Sequence, residues 1–222
     1  MELTKESIAK TIDHTFLDPA GSIEDIEKLC EEAKKYKFAS VAIAPDFVSY
    51  AAEKLTGKDI KIDVEIGFPL GYNTTATKVF ETKESLKLGA TEVDMVVNIV
   101  AVKDKNRDKV KNDIEQVADV CGNIPLKVIF ETCYLEKEEI IKLAEVCLEI
   151  PGVNYIKTST GFGPEGATVE NVKLMKEVVK DKKLIKAAGG IRTLEDYKKM
   201  VNAGASRIGS SSGLKILQEF AE

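Results

Sequence analysis

Two lysines stand where a soluble protein seldom places them. Tyr155–Gly163 reads YIKTSTGFG and Leu184–Gly190 reads LIKAAGG. Each is a short apolar run with one ammonium group near its end, followed by glycines or small polar residues. A third run, EVDMVVN at Glu92–Asn98, holds Asp94 and Asn98 on one side-chain parity and Val93, Met95 and Val97 on the other. Charge inside such runs is costly unless it is paired or used. For a lysine taken alone, a structural ion pair at a sheet rim is an equal explanation. Lys157, Lys186 and Asp94 on three such runs favour chemistry.

The chemistry that lysine alone offers is Schiff-base formation. A neutral amine attacks a carbonyl, and the resulting iminium draws electrons from the neighbouring carbon, so a carbon–carbon bond can break or form. The amine must first lose its proton, and a second ammonium beside it disfavours the charged form. Two lysines therefore read as one nucleophile and one tuning partner. An aspartate alongside can orient them and relay protons through a water. The Gly189-Gly190 pair, and Gly209 leading into Ser210-Ser211-Ser212-Gly213, suggest an anion site of backbone N–H groups and hydroxyls. A turn and a helix cap explain either stretch alone; the two together point to phosphate.

These residues need elements to hold them. Short Val- and Ile-rich runs recur at Thr11–Phe16, Ser40–Ala44, Lys61–Ile66, Glu92–Asn98, Leu126–Phe130, Asn154–Thr158, Leu184–Ala188 and Ser206–Gly209. They lack a polar outer face, as parallel strands covered by helices do. Helical patterns lie between them: Ser22–Tyr36, Asp46–Leu55, Thr75–Leu88, Arg107–Cys121, Lys137–Glu149, Thr168–Lys180 and Leu194–Asn202, with a last one over Leu214–Phe220. Ser22 with Asp25 three residues on predicts an N-cap, and Gly89 and Gly204 predict helix ends. Eight strands with seven crossovers fit an α/β fold, a closed TIM (β/α)8 barrel over residues 1–222 as one domain. The competitor is an open doubly wound sheet, which should carry a glycine-rich fingerprint after its first strand. None follows Phe16 or Ala44. In a barrel, the late strand ends collect at one face, where such enzymes do their chemistry.

Composition bounds the rest. The formal net charge of -5 argues against nucleic acid or an anionic membrane as the main partner. Cys30, Cys121, Cys133 and Cys147 fit neither a zinc site nor a C-x-x-C pair and read as reduced cytosolic thiols. Nothing resembles a signal peptide or a membrane-spanning run. Scarce glutamine with abundant lysine leans toward a thermophilic source. His14 is the sole histidine, so one chain cannot build a histidine metal cluster, and it reads as a brace for the first strand. Asn73, Thr74 and Thr75 read as ligand contacts or a helix cap, and Glu131 and Cys133 as rim packing.

The chain also resembles the deoxyribose-phosphate aldolases over nearly its whole length. The likeness is carried by IDHTFL (Ile12–Leu17), EIGFPLGYNTTATKVFE (Glu65–Glu81), EVDMVVNI, KVIFET (Lys127–Thr132), YIKTSTGFG, IKAAGGIRT (Ile185–Thr193) and RIGSSS (Arg207–Ser212). It implies reversible cleavage of 2-deoxy-D-ribose 5-phosphate to D-glyceraldehyde 3-phosphate and acetaldehyde, with no cofactor and no metal. It implies that Lys157 forms the Schiff base beside Lys186, with Asp94 in proton transfer. Asp13, Thr15 and Thr160 then meet the sugar and the lysine loop, and Gly189, Gly190, Gly209, Ser211 and Ser212 the phosphate. A cytoplasmic homodimer or homotetramer acting on a small phosphorylated sugar, with no nucleic-acid or membrane partner, is the implied setting. Three departures stand out: Ala42 in place of a common cysteine, Phe162 in place of a phosphate-side lysine, and no tyrosine after Tyr197. Two rivals remain at this level. One is another Schiff-base lyase on the same fold; the other is a phosphosugar-binding protein without catalysis.

Overall fold

The computed structural model describes residues 3–220. Eight parallel strands close into a barrel in chain order: β1 (Ile12–Phe16), β2 (Ser40–Ile43), β3 (Lys61–Ile66), β4 (Glu92–Val96), β5 (Leu126–Ile129), β6 (Val153–Lys157), β7 (Leu184–Ala188) and β8 (Arg207–Ser210). β1 pairs with both β2 and β8, which excludes the open sheet. Among the described residues ten α-helices accompany them: α1 (Lys5–Ala9), α2 (Ile23–Tyr36), α3 (Val48–Lys54), α4 (Thr75–Leu88), α5 (Ile99–Lys103), α6 (Arg107–Cys121), α7 (Lys137–Leu148), α8 (Val169–Val179), α9 (Leu194–Ala203) and α10 (Gly213–Glu219).

Local chemistry accounts for the boundaries. Ser22 and Asp25 form the capping box expected at the start of α2, and Thr193 with Asp196 repeats it at α9. Gly89 and Gly204 take the left-handed conformation that ends α4 and α9. Two helices are not visible as periodic patterns. α1 is too short to show a period, and it starts on a Thr4–Ser7 capping box. α5 replaces the expected end of the fourth strand. The Asn98 side chain accepts from the Ala101 N–H, so the chain turns helical after Val97 and β4 stops at Val96.

Alternation along the strands separates two interiors. Ile62, Val64 and Ile66 belong to the apolar layer between barrel and helices. Their neighbours Asp63 and Glu65, equally buried, turn into the barrel. His14 braces β1 against α2, its Nε2 lying 2.7 Å from Glu32 Oε2 and its ring stacked on Phe38. Among the described residues no helix is long and apolar enough to cross a membrane.

Candidate active site

Barrel interiors are usually filled by branched apolar side chains; this one is filled by charge. Strand register sets the ladder. Asp63 lies opposite Glu92 and Glu65 opposite Asp94 on β3 and β4, Asp94 opposite Lys127 on β5, Lys157 opposite Lys186 on β6 and β7, and Lys186 opposite Arg207 on β8. Lys127 Nζ reaches Asp63 Oδ1 at 2.8 Å, Asp94 Oδ1 at 2.7 Å and Glu92 Oε2 at 2.9 Å. Lys186 Nζ reaches Asp13 Oδ2 at 2.6 Å, Asp63 Oδ2 at 2.8 Å and Asp94 Oδ2 at 2.7 Å. Among the described residues Lys157 Nζ reaches two carboxylates, Glu65 Oε1 at 2.8 Å and Asp94 Oδ2 at 2.6 Å. Below them Arg207 donates to Asp13 Oδ1 at 2.8 Å, and the Ser40 hydroxyl donates to the same oxygen at 2.6 Å.

An ammonium group has three donors. Three carboxylates lie within 2.9 Å of the nitrogen of Lys127 and of Lys186, and two lie as close to that of Lys157. Lys157 is also the lysine that opens onto a cavity of about 390 Å³ at the carboxyl ends of the strands. Thr15, Thr160, Gly161, Phe162, Gly189, Gly190, Arg192, Gly209 and Ser211 line the same space. A larger groove of about 690 Å³ runs outside the barrel between α5, α6 and α7, away from every buried lysine of the ladder.

The network sorts its carboxylates. Burial opposes ionisation of Asp94, but Lys127, Lys157 and Lys186 outweigh it and hold its carboxyl well below the usual range. Asp13 is depressed likewise, by Lys186 and Arg207 against burial. Asp63 and Glu65 go the other way: burial dominates, the Asp94 charge adds to it, and both carboxyls are raised. Lys186 stays charged, since burial is overcome by Asp13, Asp63 and Asp94. The Asp63, Glu65 and Asp94 carboxylates converge within 4.8 Å. The charge they would offer a cation is already met by lysine ammonium groups.

The loop after β6 is anchored from β5. Glu131, buried and with a left-handed backbone (φ 54°), accepts from the Thr160 N–H at 3.2 Å and from the Thr160 hydroxyl. Thr160 Oγ1 in turn accepts from the Phe162 N–H at 3.0 Å. Gly189 packs on Gly166, where a Cβ would come within 2.9 Å of the Gly166 Cα. Gly190 (φ 78°) faces open space.

The residues expected from sequence thus fall into two tiers. Lys157, Thr15, Thr160, Gly189, Gly190, Gly209 and Ser211 line the cavity. Asp13, Asp94 and Lys186 lie beneath it, fully buried. Ser212 stands beside Ser211, its N–H donating to Ser210 Oγ. Sequence reading missed Asp63, Glu65, Glu92, Lys127 and Arg207, and it treated Glu131 as packing. The signal was present: Asp63 and Glu65, like Glu92 and Asp94, alternate along apolar strands. Arg192 was also overlooked, and it lines the cavity where Phe162 offers no charge.

Comparison with known proteins follows the same lines. The profile described as DeoC/LacD family aldolase matches residues 7–219. A deoxyribose-phosphate aldolase of Thermoanaerobacter sp. (strain X514) is 54% identical over 217 residues, covering 96% of this chain and 97% of its own. Among solved structures, the aldolase QR15 aligns with a TM-score of 0.91 at 41% identity, covering 96% of this chain and 95% of its own. The tetrameric deoxyribose phosphate aldolase from Aeropyrum pernix aligns with a TM-score of 0.87 at 31% identity, covering 98% and 92%.

Proposed function

The chain belongs to the DeoC/LacD family of aldolases, and from that premise we propose how its own residues carry out the reaction. The reaction is the reversible retro-aldol cleavage of 2-deoxy-D-ribose 5-phosphate to D-glyceraldehyde 3-phosphate and acetaldehyde. Lys157 is the nucleophile. The observation that carries this assignment is its place at the floor of the cavity with two carboxylates about it, beside two lysines that lie beneath the cavity with three carboxylates each. Lys186 is the tuning partner. It remains charged and shares Asp94 Oδ2 with Lys157, so the two nitrogens lie within two hydrogen-bond lengths of each other. Asp94 orients the pair.

The iminium on Lys157 accepts the electron pair of the breaking carbon–carbon bond, and glyceraldehyde 3-phosphate departs. The Gly189-Gly190 backbone, Gly209, Ser211 and Ser212 hold the phosphate, with Arg192 supplying the positive charge that Phe162 lacks. Thr15 and Thr160 face the sugar, and Asp13 supports it from below through Lys186. The enzyme works without a cofactor as one barrel domain, in the cytoplasm, and as a homodimer or homotetramer. The tetrameric Aeropyrum relative supports assembly of this kind.

Release of glyceraldehyde 3-phosphate from deoxyribose 5-phosphate, followed with a coupled dehydrogenase, tests the activity. Borohydride reduction with acetaldehyde, followed by peptide mapping, tests the nucleophile. Label on Lys157 is the expected result; label on Lys186 would reverse the two roles, and no turnover with no label would leave a phosphosugar-binding protein.

A further inference from the structure

We propose that Glu65 is the general base and acid of Schiff-base formation, taking the proton from the Lys157 ammonium and returning it to the hydroxyl that leaves. The inference rests on Lys157 being the nucleophile. Only two carboxylates touch Lys157 Nζ among the described residues, and they differ in every other contact. Asp94 is held on both oxygens: Oδ1 accepts from Lys127, and Oδ2 accepts from Lys157 and Lys186. A proton placed there would meet three ammonium groups. Glu65 Oε1 accepts from Lys157 alone, at 2.8 Å, and Oε2 is buried with no hydrogen-bond partner. A carboxylate oxygen left in that state costs free energy that protonation of the group relieves.

The charged groups facing Glu65 agree with this. Lys157 on β6 and Lys186 on β7 stabilise its anion, while Asp94 on β4 opposes it. Burial is the largest influence and leaves the carboxyl more basic than usual. Two carboxylates with one lysine between them are thus driven apart, one permanently ionised and the other able to take a proton. Such divergence is how acid and base roles are divided in a site.

The steps balance. An N–H bond of the Lys157 ammonium breaks, its electron pair stays on nitrogen, and the proton goes to Glu65 Oε1. The amine lone pair forms the bond to the aldehyde carbon while the carbonyl π electrons move to oxygen. A proton passes from that nitrogen to the oxygen, giving the neutral carbinolamine. Glu65 then protonates the hydroxyl, water leaves, and the nitrogen lone pair forms the iminium. Glu65 ends as a carboxylate.

The test is Glu65→Gln, which keeps an acceptor for Lys157 and removes the basic oxygen. Trapping of acetaldehyde by cyanoborohydride is followed by intact mass, from neutral to alkaline pH. Near neutral pH the trapping rate is expected to fall by about a hundredfold, the scale of lost general acid–base catalysis. It should recover in alkali, where hydroxide takes the place of the missing base. Wild-type rate and pH profile in this variant would overturn the role of Glu65. Wild-type protein that takes no label on Lys157 would instead overturn the nucleophile assignment on which it rests. Should the variant fail to fold, Glu65→Asp decides. It retains the charge but withdraws the oxygen by one methylene. Slower trapping near neutral pH upholds the proposal, and an unchanged rate overturns it.

Discussion

Two buried lysines of this protein invite comparison: Lys157 inside the barrel and Lys78 outside it, between α4 and α6. Lys78 Nζ donates to Asp113 Oδ2 at 2.6 Å and to the Val96 carbonyl at 2.8 Å. Asp113 Oδ1 accepts from the Thr75 hydroxyl at 2.8 Å, and both charged side chains are wholly buried. Both oxygens of Asp113 have a partner, and neither of the two cavities described above is lined by the pair. Lys157 is almost as deeply buried, yet it borders an open cavity and faces a carboxyl oxygen with nothing to bind. Burial of a lysine therefore does not mark chemistry. A lysine at the edge of a cavity, bonded to a carboxyl with an unpartnered oxygen, does, because it can gain a bond to substrate and exchange a proton with its neighbour. The same contrast separates Lys157 from Lys127 and Lys186 within the ladder.

Mutation should pull the two lysines apart. Lys157→Ala is expected to lower kcat by on the order of 10⁴-fold or more, as loss of a covalent nucleophile does. Its unfolding midpoint should change little. Lys127 and Lys186 still hold Asp94, and the raised carboxyl of Glu65 can become neutral. A large fall in thermal stability would erase the distinction drawn here. Lys78→Ala is the converse case. It strands the Asp113 charge, so unfolding in denaturant should show a loss of about 3–5 kcal/mol, as for broken buried pairs. The kcat of the folded fraction should remain near wild type. A stable but inactive Lys78→Ala protein would move Lys78 to the catalytic side.

The phosphate end gives a smaller effect. A hydroxyl bonded to a phosphate oxygen contributes roughly 1.5–3 kcal/mol. Ser211→Ala or Ser212→Ala should therefore raise KM for deoxyribose 5-phosphate by about tenfold or more. Cleavage of unphosphorylated deoxyribose should hardly change. If the ratio of kcat/KM for the two sugars is unaltered in both variants, the phosphate is bound elsewhere.

The smallest effect concerns His14, a third buried titratable group and a fully structural one. Burial lowers its pKa from 6.5, against the opposing pull of Glu32. The unfolded chain thus binds a proton at higher pH than the folded one. The stability from this group is complete above about pH 6.5 and is lost as the pH falls toward the lowered folded value. Denaturant titrations across that window should show stability decreasing with acid, and His14→Gln should flatten the slope. Equal slopes in both proteins would remove His14 from the account.

Much of the fold could be read in the sequence because its signals are local. Lys61–Ile66 and Leu184–Ala188 are strands at the bounds expected, since each is a short run rich in apolar residues that a glycine ends, Gly67 and Gly189. α4 and α6 begin and end where their caps and glycines say. α1 escaped because five residues are fewer than two helical turns. α5 escaped because Ile99-Val100 continues an apolar run, and only the Asn98 side chain turns it into a helix.

Lys157 and Lys186 were legible for a similar reason: an ammonium group at the end of an apolar strand stands out against its neighbours. The sequence by itself determined the strand and helix pattern, the two strand-end lysines, and the glycines and serines of the last loops. The tertiary structure decided the partners. Glu65 comes within 2.8 Å of Lys157 from 92 residues away, and Asp63 within the same distance of Lys186 from 123. Such contacts depend on barrel closure and on strand register, and a shift of one residue would turn each carboxylate outward into the apolar layer. Which lysine meets two carboxylates and which meet three is settled by that closure, because electrostatic pairing acts through space and not along the chain.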